Sequence, residues 1–97
     1  MKSAKNCKNI KEIRVEIDRI DKVIISTLAE RLEYVTEAAK FKSDIESVLA
    51  PDRHIEMLAQ RLKLAETLNL DPVIIEKVYE ILLNYYKQKQ LDIWNEC

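Results

Sequence analysis

Residues 10–42 form a stretch without glycine or proline, and this stretch constrains the fold more than any other part of the chain. Its isoleucines recur at alternating steps of three and four residues, a spacing that aligns side chains on one face of an α-helix. The pattern predicts one long helix at residues 9–43, with Asn9 as its N-cap. At about 1.5 Å of rise per residue, such a helix is on the order of 50 Å long. The isoleucines are Ile10, Ile13, Ile17, Ile20 and Ile24.

A helix of this length is difficult to cover within one chain of 97 residues. A compact domain of that size has a radius of gyration of about 12 to 13 Å, so too few residues remain to bury the whole helix. We therefore expect a homodimer in which long helices pack side by side. A kinked monomer is the alternative, but the stretch lacks the glycine and proline that usually produce sharp kinks.

Two further helices are predicted after a short surface connection. Pro51 suits the first position of a helix at residues 51–69, and Asn69 suits a left-handed C-terminal cap. Asp71 and Pro72 suit the N-cap and first position of a third helix, which we place at residues 71–95. The residues between Lys42 and Pro51 are expected to cross the surface.

The chain contains no glycine, which excludes the glycine-rich phosphate loops of nucleotide-binding folds and argues against hairpin-rich β folds. Its 47% hydrophobic and 34% charged residues are typical of a folded rather than a disordered chain. The sequence therefore predicts an all-α fold, as a three-helix chain with a long first helix, in a single domain over residues 1–97.

Charge and cysteine content narrow the class of partner. With 16 basic and 17 acidic residues and no basic block, the chain is not expected to bind nucleic acid. Cys7 and Cys97 lie near opposite ends and there is one histidine, so neither a disulfide framework nor a metal site is indicated. We expect free thiols in the cytoplasm. No apolar run approaches the roughly 20 residues of a membrane span, and residues 1–9 lack a signal-peptide core.

The candidate site residues are all hydrogen-bond donors. Arg31 continues the isoleucine row, and Lys42 projects within about 20° of it around the helix. Arg53 opposes the dipole in the first turn of its helix, and Gln90 lies on an otherwise apolar face of the third helix. Arg14 lies about 25 Å from Arg31 along the axis, so it could reach the same ligand only from a partner chain.

Such a set of donors suits a small dianion, because guanidinium groups bind carboxylates in bidentate fashion. The pattern shows no nucleophile with its base and no paired carboxylates, so any catalysis would depend on positioning and electrostatics. A structural interpretation is equally open. Arg31 and Lys42 could lay their stems on apolar surface with the charges in water, and Gln90 could satisfy a main-chain group.

Several segments resemble the all-helical chorismate mutase family, and within it the isochorismate-pyruvate lyases of salicylate and siderophore biosynthesis. The likeness extends without gaps from about residue 7 to residue 94, and the combined spacing of its motifs is specific. The matching segments are residues 13–14, 17–21, 29–35, 41–42 and 50–53, together with Gln90 and Trp94.

The resemblance implies an intertwined homodimer with two equivalent active sites. In such a dimer Arg14 would enter the partner's site, where it and Arg31 would hold substrate carboxylates. Lys42 and Gln90 would donate to the enolpyruvyl side, including the ether oxygen whose C–O bond breaks. Arg53 would complete the anion-binding wall, and the segment after Lys42 would act as a lid.

The family's reactions are pericyclic and imply neither a cofactor nor a metal. The mutase converts chorismate to prephenate, and the lyase releases pyruvate from isochorismate to give salicylate. Many mutases carry acidic residues at the positions of Ala50 and His54. Ala50 agrees with the lyase, while His54, Lys87 and Ser43 depart from its pattern; His54 could bond a ring hydroxyl.

We therefore predict a lyase that acts on a small dicarboxylate, with weak mutase activity. His54 is a further candidate site residue, and so is Tyr86, which shares the Gln90 side of the third helix. Two alternatives stay open at this point. The chain could be a chorismate mutase, or it could be a non-catalytic helical dimer that serves as an interaction or regulatory module.

Overall fold

A computed structural model describes residues 3–41 and 51–96, and the part of the chain that it describes contains helices and no strand. The α-helices are α1 (Ile10–Ala38), α2 (Pro51–Thr67) and α3 (Pro72–Glu96). Short 3-10 helices lie at Ala4–Asn6 and Ala39–Phe41. The all-α prediction with three main helices is confirmed.

The N-terminus of α1 is capped by side chains on both sides of the helix start. The amide nitrogen of Glu12 donates to Asn9 Oδ1 at 2.9 Å, and the Glu12 carboxylate accepts from the amide nitrogen of Lys8 at 2.9 Å. These bonds satisfy two donors near the first turn, where the helix itself supplies no acceptors. The prediction of Asn9 as the N-cap is confirmed.

The C-terminus of α2 is closed by a Schellman turn. Asn69 has φ of 61°, in the left-handed region. The amide of Leu70 donates to the carbonyl of Ala65 at 2.8 Å, and the amide of Asn69 donates to the carbonyl of Glu66 at 3.1 Å. Asparagine tolerates this backbone conformation better than most residues, and the two bonds satisfy carbonyls of the last turn. The predicted role of Asn69 is confirmed.

The helix after this turn starts where the sequence predicts. Asp71 Oδ1 accepts a hydrogen bond of 3.0 Å from the amide of Val73, which is the expected bond of an N-cap aspartate. Pro72 and Pro51 are the first residues of α3 and α2. Both prolines fit there because the first helical position needs no main-chain donor.

The chain divides into two compact units, Met1–Glu33 and Tyr34–Cys97. The first unit consists mostly of α1, whose side chains include none that is fully buried. Its isoleucine row is open to solvent in the single chain, and Ile17 for example is 50% exposed. The single domain and the homodimer both stay predictions.

The second unit has a small core built by α2, α3 and the 3-10 helix Ala39–Phe41, which packs against α3. The buried hydrophobic side chains of the described residues are Ala39, Met57, Ala65 and Tyr86. Gln90 is the buried polar residue of the same region. None of the helices in residues 3–41 and 51–96 combines the length and apolar character needed to span a bilayer.

Candidate active site

Gln90 is the most informative residue of the predicted site. It lies on α3 with 8% of its surface exposed, and its Nε2 donates a hydrogen bond of 2.9 Å to the main-chain carbonyl of Val35. Val35 lies in the last turn of α1. The structural role that the sequence left open for Gln90, a bond to a main-chain group, is therefore present, and this bond uses one of the two N–H groups of the amide.

Tyr86 lies one helical turn before Gln90 and is 5% exposed. Its ring is tilted by 59° against that of Tyr85, with 5.8 Å between centroids. Tyr85 faces outward, and the ammonium of Lys89 lies 5.6 Å from its ring centroid. The inner face of α3 therefore carries Tyr86 and Gln90, while the adjacent aromatic and cationic pair lies at the surface.

The candidates on α2 differ in exposure. Arg53 is exposed, and His54 is half-buried with its Nδ1 atom out of contact with solvent. Arg61 and Tyr79 both line one cavity between α2 and α3. His54 precedes Arg61 by seven residues and Tyr86 follows Tyr79 by seven, so in an antiparallel helix pair we expect His54 and Tyr86 at a similar level.

The two candidate arginines of α1, Arg14 and Arg31, both lie in the first unit. Arg14 is exposed, whereas Arg31 is half-buried and its Nη1 atom is out of contact with solvent. Seventeen residues separate them along one continuous helix, or about 25 Å. Within one chain they cannot grip the same small ligand, as the sequence spacing already indicates.

Lys42, Ser43 and Ala50 lie outside the described residues. Phe41 is the last described residue before them, and its side chain is 86% exposed. Just before it, the ammonium of Lys40 pairs with the Glu37 carboxylate at 2.9 Å on the helix surface. The predicted roles of the three residues therefore stay predictions.

The structure also contains a cavity that was not predicted. It has a volume of about 130 Å³ and lies beside the Schellman turn between α2 and α3. The apolar spacing of both helices predicts only packed faces, so the cavity has no separate signal in the sequence. Its lining includes Leu64, Leu68, Leu70, Ile75, Arg61 and Tyr79.

Within residues 3–41 and 51–96, the acidic, cysteine and histidine side chains form no group of three that could hold a metal ion. Cys7 is a free thiol, half-buried, with its Sγ donating to the carbonyl of Ser3 at 3.7 Å. Cys97 lies outside the described residues.

The sequence as a whole has a counterpart among known proteins. The sequence profile of the chorismate mutase type II family matches residues 13–91. The chain belongs to this family, and it is an enzyme of the chorismate mutase class with an all-helical fold.

Individual relatives refine the comparison. The chain is 33% identical over 96 residues to an isochorismate pyruvate lyase of Pseudomonas aeruginosa, an alignment that covers 99% of this chain and 95% of the relative. It is also similar to the T-protein of Enterobacter agglomerans, at 42% identity over 67 residues. The T-protein of Haemophilus influenzae is 37% identical over 70 residues. These two alignments cover 68% and 71% of this chain but only 18% and 19% of the T-proteins.

Proposed function

We propose that the protein is an isochorismate-pyruvate lyase that converts isochorismate to pyruvate and salicylate, with weak chorismate mutase activity. The observation that carries the proposal is the match to an isochorismate pyruvate lyase over nearly the whole of both chains. Ala50 supports the same choice, because it supplies no acidic group for the ring of a mutase substrate.

The reaction requires a ring hydrogen to move to the methylene carbon of the enolpyruvyl group while the ether C–O bond to the ring breaks. Pyruvate leaves, and the ring becomes aromatic. Negative charge grows on the ether oxygen as that bond lengthens, so positioned donors stabilise the transition state more than the bound substrate. A protein base is not needed, which agrees with the donor-only set of candidate residues.

Each candidate residue has a role in this proposal. Arg14 of one subunit and Arg31 of the other hold the two substrate carboxylates, and Arg53 extends the cationic wall. Lys42 and Gln90 donate to the enolpyruvyl group and the ether oxygen. Gln90 is able to do so because an amide has two N–H groups, of which Val35 occupies one.

The second unit supplies two further contacts in this proposal. Tyr86 forms an apolar wall beside Gln90, and its burial gives it a fixed position. His54, at the level of Tyr86 on α2, contacts a ring hydroxyl. The segment that begins with Lys42 closes over the bound substrate.

The active unit in this proposal is a cytoplasmic homodimer, in which a second copy covers the open isoleucine row of α1. Ile17 is 50% exposed and Ile24 is 48% exposed in the single chain. Burial of such side chains stabilises association by roughly 25 cal/mol for each Å² of apolar surface removed from water. The same arrangement brings Arg14 to the partner's site.

Chorismate mutase is the second candidate function, and the family profile that matches residues 13–91 favours it. In that case His54 would bind the ring hydroxyl of chorismate where many mutases use an acidic residue. The donors at Lys42 and Gln90 would serve the same ether oxygen, since both reactions break a C–O bond of this type.

A parallel assay on the two substrates tests the proposal. The purified protein is supplied with isochorismate or chorismate, and salicylate is followed by its fluorescence while prephenate is measured separately. We expect salicylate and pyruvate in equal amounts, with slower formation of prephenate. Rapid prephenate formation without salicylate would establish the mutase instead, and no turnover of either substrate would favour a non-catalytic helical module.

A further inference from the structure

We infer that the cavity between α2 and α3 is a binding site for a single-ring aromatic carboxylate, in which Arg61 recognises the negative charge. The cavity has a volume of about 130 Å³ and lies beside the Schellman turn that closes α2. The inference does not depend on the proposed function, although the salicylate of that proposal belongs to the same class of molecule.

The volume of the cavity matches that of one ring. An apolar cavity of about 150 Å³ in another protein binds benzene, so a space of this size is sufficient for a six-membered ring. The lining is mostly aliphatic and includes Leu64, Leu68 and Ile75. A ring that enters removes its own apolar surface and that of the lining from water, which favours binding.

Main-chain hydrogen bonding holds part of the cavity wall in place. Ala65 and Leu70 both line the cavity, and the amide of Leu70 donates to the carbonyl of Ala65 at 2.8 Å within the Schellman turn. Ala65 is 3% exposed and has the smallest side chain of the lining. The turn therefore fixes Leu70 relative to Ala65 before a ligand binds, and a preformed site loses little conformational freedom on binding.

Two polar side chains, Arg61 and Tyr79, line the same cavity. Arg61 is half-buried, and its Nη1 donates to Oε1 of the neighbouring Gln60 at 3.4 Å, a bond to a neutral amide that does not neutralise the positive charge. A guanidinium group has five N–H donors in a planar fork that suits a carboxylate. The ring of Tyr79 favours a flat aromatic ligand. An apolar cavity with a few polar groups is the usual composition of a small-molecule site.

This cavity is distinct from the proposed active site. Tyr79 precedes Gln90 by eleven residues of α3, which corresponds to about 16 Å along the helix axis. A ligand with a single ring cannot contact both residues at once. Binding in the cavity is therefore separable from binding at Gln90, and the two can be observed through different residues.

Titration of the full chain with benzoate tests the site, followed through methyl signals by nuclear magnetic resonance. We expect saturable shifts of the Leu70 and Ile75 methyl signals, and a dissociation constant about fivefold lower for benzoate than for neutral benzamide, because only benzoate pairs with Arg61. Equal affinities for the two molecules would overturn the inference. So would the absence of shifts at these methyl groups, or shifts confined to the surroundings of Gln90.

A pair of variants tests the role of Arg61. Arg61→Met retains much of the apolar stem and removes the charge, while Lys63→Met removes an exposed charge of the same helix outside the cavity lining. We expect Arg61→Met to bind benzoate about fivefold more weakly and benzamide with unchanged affinity. Lys63→Met should bind both molecules as the wild type does. An equal loss of benzoate affinity in the two variants would overturn the assignment of Arg61.

A second copy of the chain is the competing occupant of the cavity. Protein that combines isotopically labelled and unlabelled chains shows whether protons of another subunit lie against the Leu70 and Ile75 methyl groups. We expect no such intermolecular contacts. Contacts that persist in excess benzoate would show that a subunit fills the cavity, and they would overturn the inference.

Discussion

Gln90 follows Tyr86 by one turn of α3, and both side chains are more than nine-tenths buried, whereas Tyr85 beside them is 48% exposed. A buried amide costs stability unless its polar atoms have partners, and the Val35 carbonyl provides one. The remaining donor capacity lies beside a rigid aromatic wall. In the proposed active site, this pairing would present the second N–H of Gln90 to the substrate beside the Tyr86 ring.

Lys42 should be far more important for turnover than its neighbour Lys40. Lys42→Ala removes the donor to the ether oxygen, so we expect kcat to fall by about two to three orders of magnitude, with a smaller change in KM. Lys40→Ala breaks only a surface ion pair with Glu37 and should leave kcat unchanged. Steady-state kinetics with isochorismate measures both. Full activity of Lys42→Ala would contradict the mechanism.

Association should depend on the face of α1 that carries the isoleucine row. Ile17→Glu would bury charge in the subunit interface, at a cost on the order of 3 kcal/mol for the dimer. We therefore expect the dissociation constant of the dimer to rise by about 100-fold. Val15 lies on the opposite face of α1 and is 60% exposed. Val15→Glu is therefore the matched control, and it should remain dimeric. Sedimentation equilibrium measures both, and an unchanged Ile17→Glu dimer would place the interface elsewhere.

The turn between α2 and α3 should affect stability without affecting chemistry. Asn69 has φ of 61°, which a residue with an ordinary Cβ adopts at a cost of roughly 1 kcal/mol. We expect Asn69→Ala to lower the free energy of unfolding by about that amount, and Asn69→Gly to preserve or raise it. Urea denaturation of both variants provides the comparison. An unaltered urea midpoint for Asn69→Ala would show that the left-handed conformation at Asn69 contributes little to the stability of the fold.

Local signals in the sequence were sufficient to predict the helix starts and the turn. Asn9, Asn69 and Asp71 all act where the sequence places them, because a cap is formed by residues within a few positions of one another. The same reasoning identified Gln90 as a polar residue on an apolar face. The sequence pattern could not predict which group Gln90 bonds, because Val35 is 55 residues away in the chain.

The end of the first helix was predicted less well. The sequence places it at residue 43, whereas α1 ends at Ala38 and continues as a 3-10 helix to Phe41. No glycine or proline marks this end, so local propensity favours a longer helix. Near this end Ala39 is buried and the Val35 carbonyl accepts a bond from Gln90. Both are tertiary contacts, which local propensity does not report. The roles of Arg14 and Arg31 depend on a second chain and stay predictions.

Complementation between two inactive variants tests the central claim, that each active site combines Arg14 of one subunit with Arg31 of the other. Arg14→Ala and Arg31→Ala are purified separately, mixed in equal amounts, unfolded and refolded together, and assayed for salicylate formation. Random pairing gives heterodimers that each contain one intact site, so the account predicts recovery of about a quarter of wild-type activity. Activity no higher than the sum of the separately refolded variants would contradict it.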